Sequence, residues 1–133
     1  MPSIYIIDDD IDLLEAVKPL LRKSGFDVTT FFEWEIANKA LQILRPQMIL
    51  LDVFLKGIDG IDVCKLLKNS PYTRHIPVML FSGFPKIAET GVDEYGADDF
   101  IAKPFEVGDL VKKLYAILAK TGQTGRALLN RFL

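Results

Sequence analysis

Four short apolar runs, each cut off abruptly by polar side chains, constrain this chain more than any other feature. Ile4-Tyr5-Ile6-Ile7 stops at Asp8-Asp9-Asp10, Met48-Ile49-Leu50-Leu51 at Asp52, Val78-Met79-Leu80-Phe81 at Ser82-Gly83, and Phe100-Ile101-Ala102 at Lys103-Pro104. Runs of this length without polar alternation fit strands buried on both faces, the condition of a parallel sheet.

The segments between them read as helices. Leu13, Leu14, Val17, Leu20 and Leu21 recur at helical spacing before Gly25, a natural helix stop. Pro19 lies inside that segment. It removes one hydrogen bond and predicts a bend, at a cost of about 3 kcal/mol where packing does not compensate. Phe26 to Phe32 reads as a second strand, Glu35 to Leu44 as a second helix closed by Arg45-Pro46, and Phe54 to Asp59 as a loop. Ile61, Cys64 and Leu67 mark a third helix, and Phe84 to Gly96 is weakly helical, with Pro85 near its start and Gly91 inside. Val107, Leu110, Val111, Leu114, Ile117 and Leu118 form a clean three-four repeat in the last helix.

Five strands alternating with five helices predict an α/β fold with a doubly wound parallel sheet. One domain is expected over residues 1–120, followed by a tail over 121–133. Within that tail the apolar stretch Ala127 to Leu133 fits a segment docked on its own domain, a segment docked on a partner, or a linker remnant.

Composition narrows the function classes. A formal net charge of −2 in 133 residues argues against nucleic acid as the main partner, since phosphate backbones demand a basic surface. The N-terminus lacks a basic stretch followed by an apolar run, and no apolar stretch is long enough for a membrane span, so a cytoplasmic location without membrane contact is expected. The single cysteine, Cys64, has no internal disulfide partner and falls on an apolar helix face, which fits a core thiol.

In a doubly wound sheet the functional crevice lies outside the carboxyl ends of the strands. Asp8, Asp9, Asp52, Ser82 and Lys103 all belong to such ends. Singly, each has an ordinary role. Asp8 to Asp10 can cap a helix, Asp52 and Ser82 can be turn residues, and Lys103 can be a solvated lysine. Jointly they must converge on one edge of the sheet. If strands one and three are neighbours, three carboxylates crowd together, and a hard divalent cation with oxygen ligands relieves the repulsion. Mg²⁺ suits a site of few carboxylates plus water.

Ile6-Ile7-Asp8-Asp9-Asp10, Leu50-Leu51-Asp52-Val53, Gly57-Ile58-Asp59-Gly60, Phe81-Ser82-Gly83 and Gly96-Ala97-Asp98-Asp99-Phe100-Ile101-Ala102-Lys103-Pro104-Phe105 closely resemble the receiver pattern of bacterial response regulators. The likeness covers about residues 3 to 120. It implies a flavodoxin-like sheet of order 2-1-3-4-5 and a stand-alone, chemotaxis-regulator-like receiver, because no DNA-binding output domain fits after residue 120. It implies Asp52 as phosphoacceptor and Mg²⁺ held by Asp8, Asp9, Asp52 and the backbone carbonyl of Phe54. Ser82 and Phe100 take the switch positions, Lys103 that of the invariant lysine, and Lys103-Pro104 that of a cis peptide bond. The implied partners are a sensor histidine kinase or phosphotransfer protein and a downstream protein of unknown identity. A homodimer through the face of the fourth helix, fifth strand and fifth helix is a further possibility the family offers.

The chain departs from the pattern at three points. Lys56 stands where the family commonly has proline, and Phe100 lacks the hydroxyl of the tyrosine alternative. Phe54 and Phe84 lie two residues beyond Asp52 and Ser82, at positions whose side chains flank the phosphoryl group, where two apolar rings should obstruct an in-line water.

Of the remaining residues, His75 in the connection Pro71 to Pro77 reads as a surface loop residue rather than a phosphotransfer histidine. Trp34 with Phe31 and Phe32 forms an aromatic cluster at the exit of the second strand. It fits strand-end packing and also a partner patch.

Three other readings compete. A phosphohydrolase of the haloacid-dehalogenase type wants a second aspartate two residues after its nucleophile, where this chain has Phe54. A flavin or nucleotide module needs a phosphate loop after the first strand, and Asp8-Asp9-Asp10 would repel phosphate there. A degenerate receiver that binds partners without phosphorylation would lack site residues that are present here.

Overall fold

The computed structural model describes residues 1–121. Its elements follow in the order β1 (Ser3–Ile7), α1 (Ile11–Lys23), β2 (Asp27–Phe31), α2 (Trp34–Ile43), β3 (Met48–Asp52), β4 (Phe54–Leu55), β5 (Ile58–Asp59), α3 (Gly60–Asn69), β6 (Val78–Ser82), α4 (Pro85–Tyr95), β7 (Asp99–Ala102) and α5 (Val107–Lys120). Five strands form one parallel sheet in the order β2-β1-β3-β6-β7. With the two-residue strands β4 and β5 set aside, this is the expected order 2-1-3-4-5. The tail expected over 121–133 lies outside the described residues, Thr121 excepted.

Every residue of β3 and β6 is buried, and alternate side chains of the central strands feed two separate cores. Tyr5, Ile7, Ile49, Leu51, Val78 and Leu80 pack with residues of α2, α3 and α4, including Leu41, Cys64 and Ala88. Ile4, Ile6, Met48, Leu50, Met79 and Phe81 pack with Leu14, Val17 and Leu21 of α1 and Leu110, Leu114 and Leu118 of α5. The period of two along each strand therefore sends three helices to one face and two to the other.

Local chemistry sets the helix boundaries. Asp10 caps α1, its carboxylate accepting from the Leu13 N–H at 3.1 Å, and the helix runs on through Pro19 to Lys23. Asp59 caps α3 by accepting from the Ile61 N–H at 2.8 Å. Cys64 is buried as expected, and burial pushes its thiol up to about 11, which keeps it protonated and unreactive.

The expected loop from Phe54 to Asp59 contains a small antiparallel hairpin, with Phe54 opposite Asp59 and Leu55 opposite Ile58. Gly57 turns it at a φ of 78°, a conformation that favours glycine. The fifth sheet strand begins one residue early, at Asp99, which pairs with Met79.

Candidate functional site

Parallel register brings the strand ends together. Ile7 of β1 pairs with Leu51 of β3, Asp52 with Phe81 of β6, and Ser82 with Ala102 of β7. The next residues along β1 and β7, Asp8 and Lys103, thus emerge beside Asp52 at the same edge. Carboxylate oxygens of Asp8, Asp9 and Asp52 lie within 4.8 Å of one another. Asp8 is 0 % exposed and Asp52 6 %, whereas Asp9 faces solvent.

Lys103 bridges the two buried acids. Its ammonium donates to Asp8 Oδ2 at 2.7 Å and to Asp52 Oδ2 at 3.2 Å, and lies 4.6 Å from the centre of the Phe81 ring. The other Asp8 oxygen accepts from the Asp10 N–H at 2.9 Å, and Asp52 Oδ1 accepts from the Phe54 N–H at 3.1 Å. Burial pushes the Asp8 carboxyl up to about 7; the Lys103 and Asp10 hydrogen bonds oppose this and the Asp52 charge adds to it. Burial alone would lower the Lys103 ammonium, but its hydrogen bond to Asp8 and the charges of Asp8 and Asp52 prevail and raise it.

Three carboxyl groups thus share one ammonium, so ionising all three leaves negative charge uncompensated among hard oxygen donors, two of them on buried side chains. This donor set fits a small divalent cation such as Mg²⁺, and Asp8 in particular is a buried carboxylate whose charge needs more than one lysine.

Ser82 is fully buried, and its Oγ accepts from the Phe84 N–H at 2.8 Å. Its carbonyl accepts from the Lys103 N–H at 2.8 Å, which ties the ends of β6 and β7 together. The Lys103–Pro104 peptide bond is cis. Phe100 sits half-buried in β7 against the core shared by α2, α3 and α4. Asp8, Asp9, Asp52 and Lys103 therefore gather at one end of the sheet, Ser82 ends the strand next to Asp52, and Phe100 lies further back along β7, opposite Leu80. His75 is exposed in the turn after α3.

Two features escaped sequence reasoning. A Cβ on Gly60 would strike the Asp52 carbonyl and come within 2.7 Å of Val53 Cα, so this glycine lets α3 start against the backbone of the acceptor strand. Glycine in Gly57-Ile58-Asp59-Gly60 was the available signal. Phe54 and Phe84, both exposed, touch edge to face with ring centres 5.0 Å apart, linking the segments after β3 and β6.

The family model for the response regulator receiver domain matches residues 4–115. Among curated proteins, the DNA-binding dual master transcriptional regulator RpaA of Synechocystis sp. is 35% identical over 130 residues, covering 96% of this chain and 53% of that protein. The chain spans about half the length of the curated relatives it matches. A crystal structure from Chloroflexus aurantiacus, assigned as a response regulator, aligns at a TM-score of 0.82 and 33% identity, covering 89% of this chain and 98% of the other. The signal receiver domain of a signal transduction histidine kinase from Syntrophus aciditrophicus aligns at 0.80 and 30% identity, covering 90% and 92%.

Proposed function

The chain belongs to the response regulator receiver domain family, and from that premise we propose that Asp52 accepts a phosphoryl group from a sensor histidine kinase or phosphotransfer protein. The observation that carries this reading is the Asp52 carboxylate, buried yet held at the pocket floor by Lys103 beside Asp8 and Asp9. We read the chain as a phosphoacceptor switch rather than an enzyme that turns over a separate substrate.

Asp8, Asp9 and Asp52, with the Phe54 carbonyl, would hold Mg²⁺. When bound, the ion supplies charge neutralisation for the oxygens of an incoming phosphoryl group. Asp52 is oriented for attack because both of its oxygens already accept hydrogen bonds. One of them forms the new bond to phosphorus. The bond from phosphorus to the donor nitrogen or acyl oxygen breaks, and its electron pair leaves with the donor. The product is a mixed anhydride on Asp52. Lys103 neutralises phosphoryl oxygens from the other wall.

The Ser82 hydroxyl, at the end of the strand next to Asp52, would turn to donate to the new acceptor oxygens. Phe100 would follow into the space behind it, altering the surface of α4, β7 and α5 that meets a downstream protein or a second copy of the chain. The relatives' names add DNA as a downstream target of longer proteins, whereas the residues described here carry the switch. A cytoplasmic location completes the reading; among the described residues no helix is long and apolar enough to cross a membrane.

The Phe54–Phe84 pair adds a rate expectation. Neither ring can accept a hydrogen bond from a water aligned opposite the Asp52–phosphorus bond, so the phosphorylated form should hydrolyse slowly. Phe84→Glu supplies an acceptor and should shorten its lifetime about tenfold or more, in keeping with the contribution of a positioned base. An unchanged lifetime removes this expectation.

The reading is tested by incubating the protein with Mg²⁺ and acetyl phosphate and mapping the modified residue by mass spectrometry. A single adduct on Asp52, absent from Asp52→Asn and from samples without Mg²⁺, is expected. Equal labelling of the variant would reject the assignment.

A further inference from the structure

Beside the carboxylate pocket, and sharing Asp9 with it, a groove of about 540 Å³ opens between the segment entering α2 and the β4–β5 hairpin. Its lining includes Phe32, Glu33, Trp34, Glu35 and Lys56. The aromatic cluster at the exit of β2 is therefore split. Phe31 is buried and packs edge-on against Tyr5, with ring centres 4.9 Å apart, whereas Phe32 is 49 % exposed. Trp34 is only partly covered, resting against the core and lining both this groove and a second cavity between α2 and α3.

The acids of this groove are not spent on the fold. Asp10 and Asp59 cap their helices through their carboxylates, but Glu33, at the same position of α2, makes no side-chain capping bond. Among the described residues, Glu33, Glu35, Asp9 and Lys56 take part in no ion pair. With Asp9 at its margin committed to the divalent cation, two glutamates against one lysine still leave the groove net negative, which disfavours phosphate esters, nucleotides and anionic lipid surfaces as its ligands. Aromatic faces set among carboxylates favour a planar, weakly hydrated cation that can stack and fork its hydrogen bonds together, the properties of a guanidinium. An ammonium meets the charge but stays hydrated and cannot fork. The volume lies within the range of pockets that enclose small ligands, enough for one long side chain and the backbone beside it.

We propose that this groove receives an arginine side chain of the protein that docks over the Asp52 end of the sheet, fixing that partner's register. That a protein docks there rests on Asp52 being the acceptor; the preference for a guanidinium does not. Exposed ion pairs are individually weak, so the contact adds selectivity to a partner held elsewhere as well, and an isolated arginine peptide should occupy the groove with a Kd on the order of millimolar.

Trp34 is the only tryptophan and lines the groove, so its emission responds to occupancy there, and the dependence on Glu33 and Glu35 localises the response. Titrating the full chain with acetyl-Gly-Arg-Gly-amide should change that emission saturably. The citrulline peptide, isosteric but uncharged, should leave it unchanged, and the lysine peptide should bind more weakly than arginine. Glu33→Gln with Glu35→Gln should weaken arginine binding about threefold to tenfold, the size expected for two exposed ion pairs. Labelling of Asp52 by acetyl phosphate, a donor too small to use the groove, should persist in that double variant. No saturable response to arginine, an equal response to citrulline, or indifference to the two glutamates would overturn the groove. Loss of acetyl phosphate labelling in the wild-type chain would instead overturn the acceptor reading.

Discussion

α4 and α5 flank the same edge strand, β7, and are held in contrasting ways. α5 buries Leu110, Leu114, Ile117 and Leu118 at three-four spacing, each burial stabilising by about 1.5–3 kcal/mol. α4 buries only Ala88 and Gly91, and its N-cap, Phe84, offers no side chain to the free N–H groups. The lightly held helix is the one that starts three residues after Ser82, with Phe84 as its N-cap. A switch needs an element whose alternatives differ little in free energy, and the sequence places such an element next to Ser82, the group proposed to respond to Asp52. On the proposed function, the firmly packed helix would supply the frame against which it moves.

Leu114→Ala should break the firm side and produce the largest effect. Leu114 is fully buried, so truncation should cost about 2–5 kcal/mol in urea unfolding. A loss below about 1 kcal/mol would mean that α5 is no better anchored than α4.

The next effect asks whether the looseness of α4 comes from packing or from the crowded charges. Asp8 has its carboxyl raised from 3.8 to about 7 by burial, so the folded state binds its proton more tightly than the unfolded one. That contribution to stability is fully present below the ordinary carboxylate value and is lost as pH rises through about 7. Without Mg²⁺, unfolding free energy should therefore fall between those limits, by up to about 4 kcal/mol. Asp8→Asn should flatten the fall, as should saturating Mg²⁺ in the wild type. Amide exchange of α4 should not follow this titration if packing sets its mobility.

Gly91→Val addresses the loose side with a smaller change. A Cβ at Gly91 would collide with the Leu80 side chain and lie 3.0 Å from Ile61 Cδ1. The substitution should cost about 1–2 kcal/mol through overpacking and speed α4 exchange while leaving α5 unaffected. A variant as stable as wild type would show that the α3–α4 contact yields freely.

Much of this was legible in the sequence, for a physical reason. A strand buried on both faces cannot alternate, so β1, β3 and β6 appear as plain apolar runs, and the side chain ending each run must face the crevice. That placed Asp8, Asp52 and Ser82 in the sequence, whereas Lys103 follows the shorter run of β7, an edge strand only partly buried. The β4–β5 hairpin was hidden because two-residue strands carry no periodicity and depend on Gly57 for their turn. The start of β7 at Asp99 was hidden because its backbone pairs with Met79 while its carboxylate reaches Lys113 at 3.3 Å, a role that charge alone does not announce. The Phe54–Phe84 contact and the groove around Trp34 join segments distant along the chain, and only the fold brings them together.

Hydrogen exchange with and without Mg²⁺ and beryllofluoride, a mimic of the phosphoryl group, tests the central claim most directly. Protection should rise from Ser82 through α4 in the wild-type chain, stay level across α5, and remain unchanged throughout in Asp52→Asn. A wild-type protein indifferent to the mimic, or a response centred on α5 that survives loss of the Asp52 carboxylate, would contradict it.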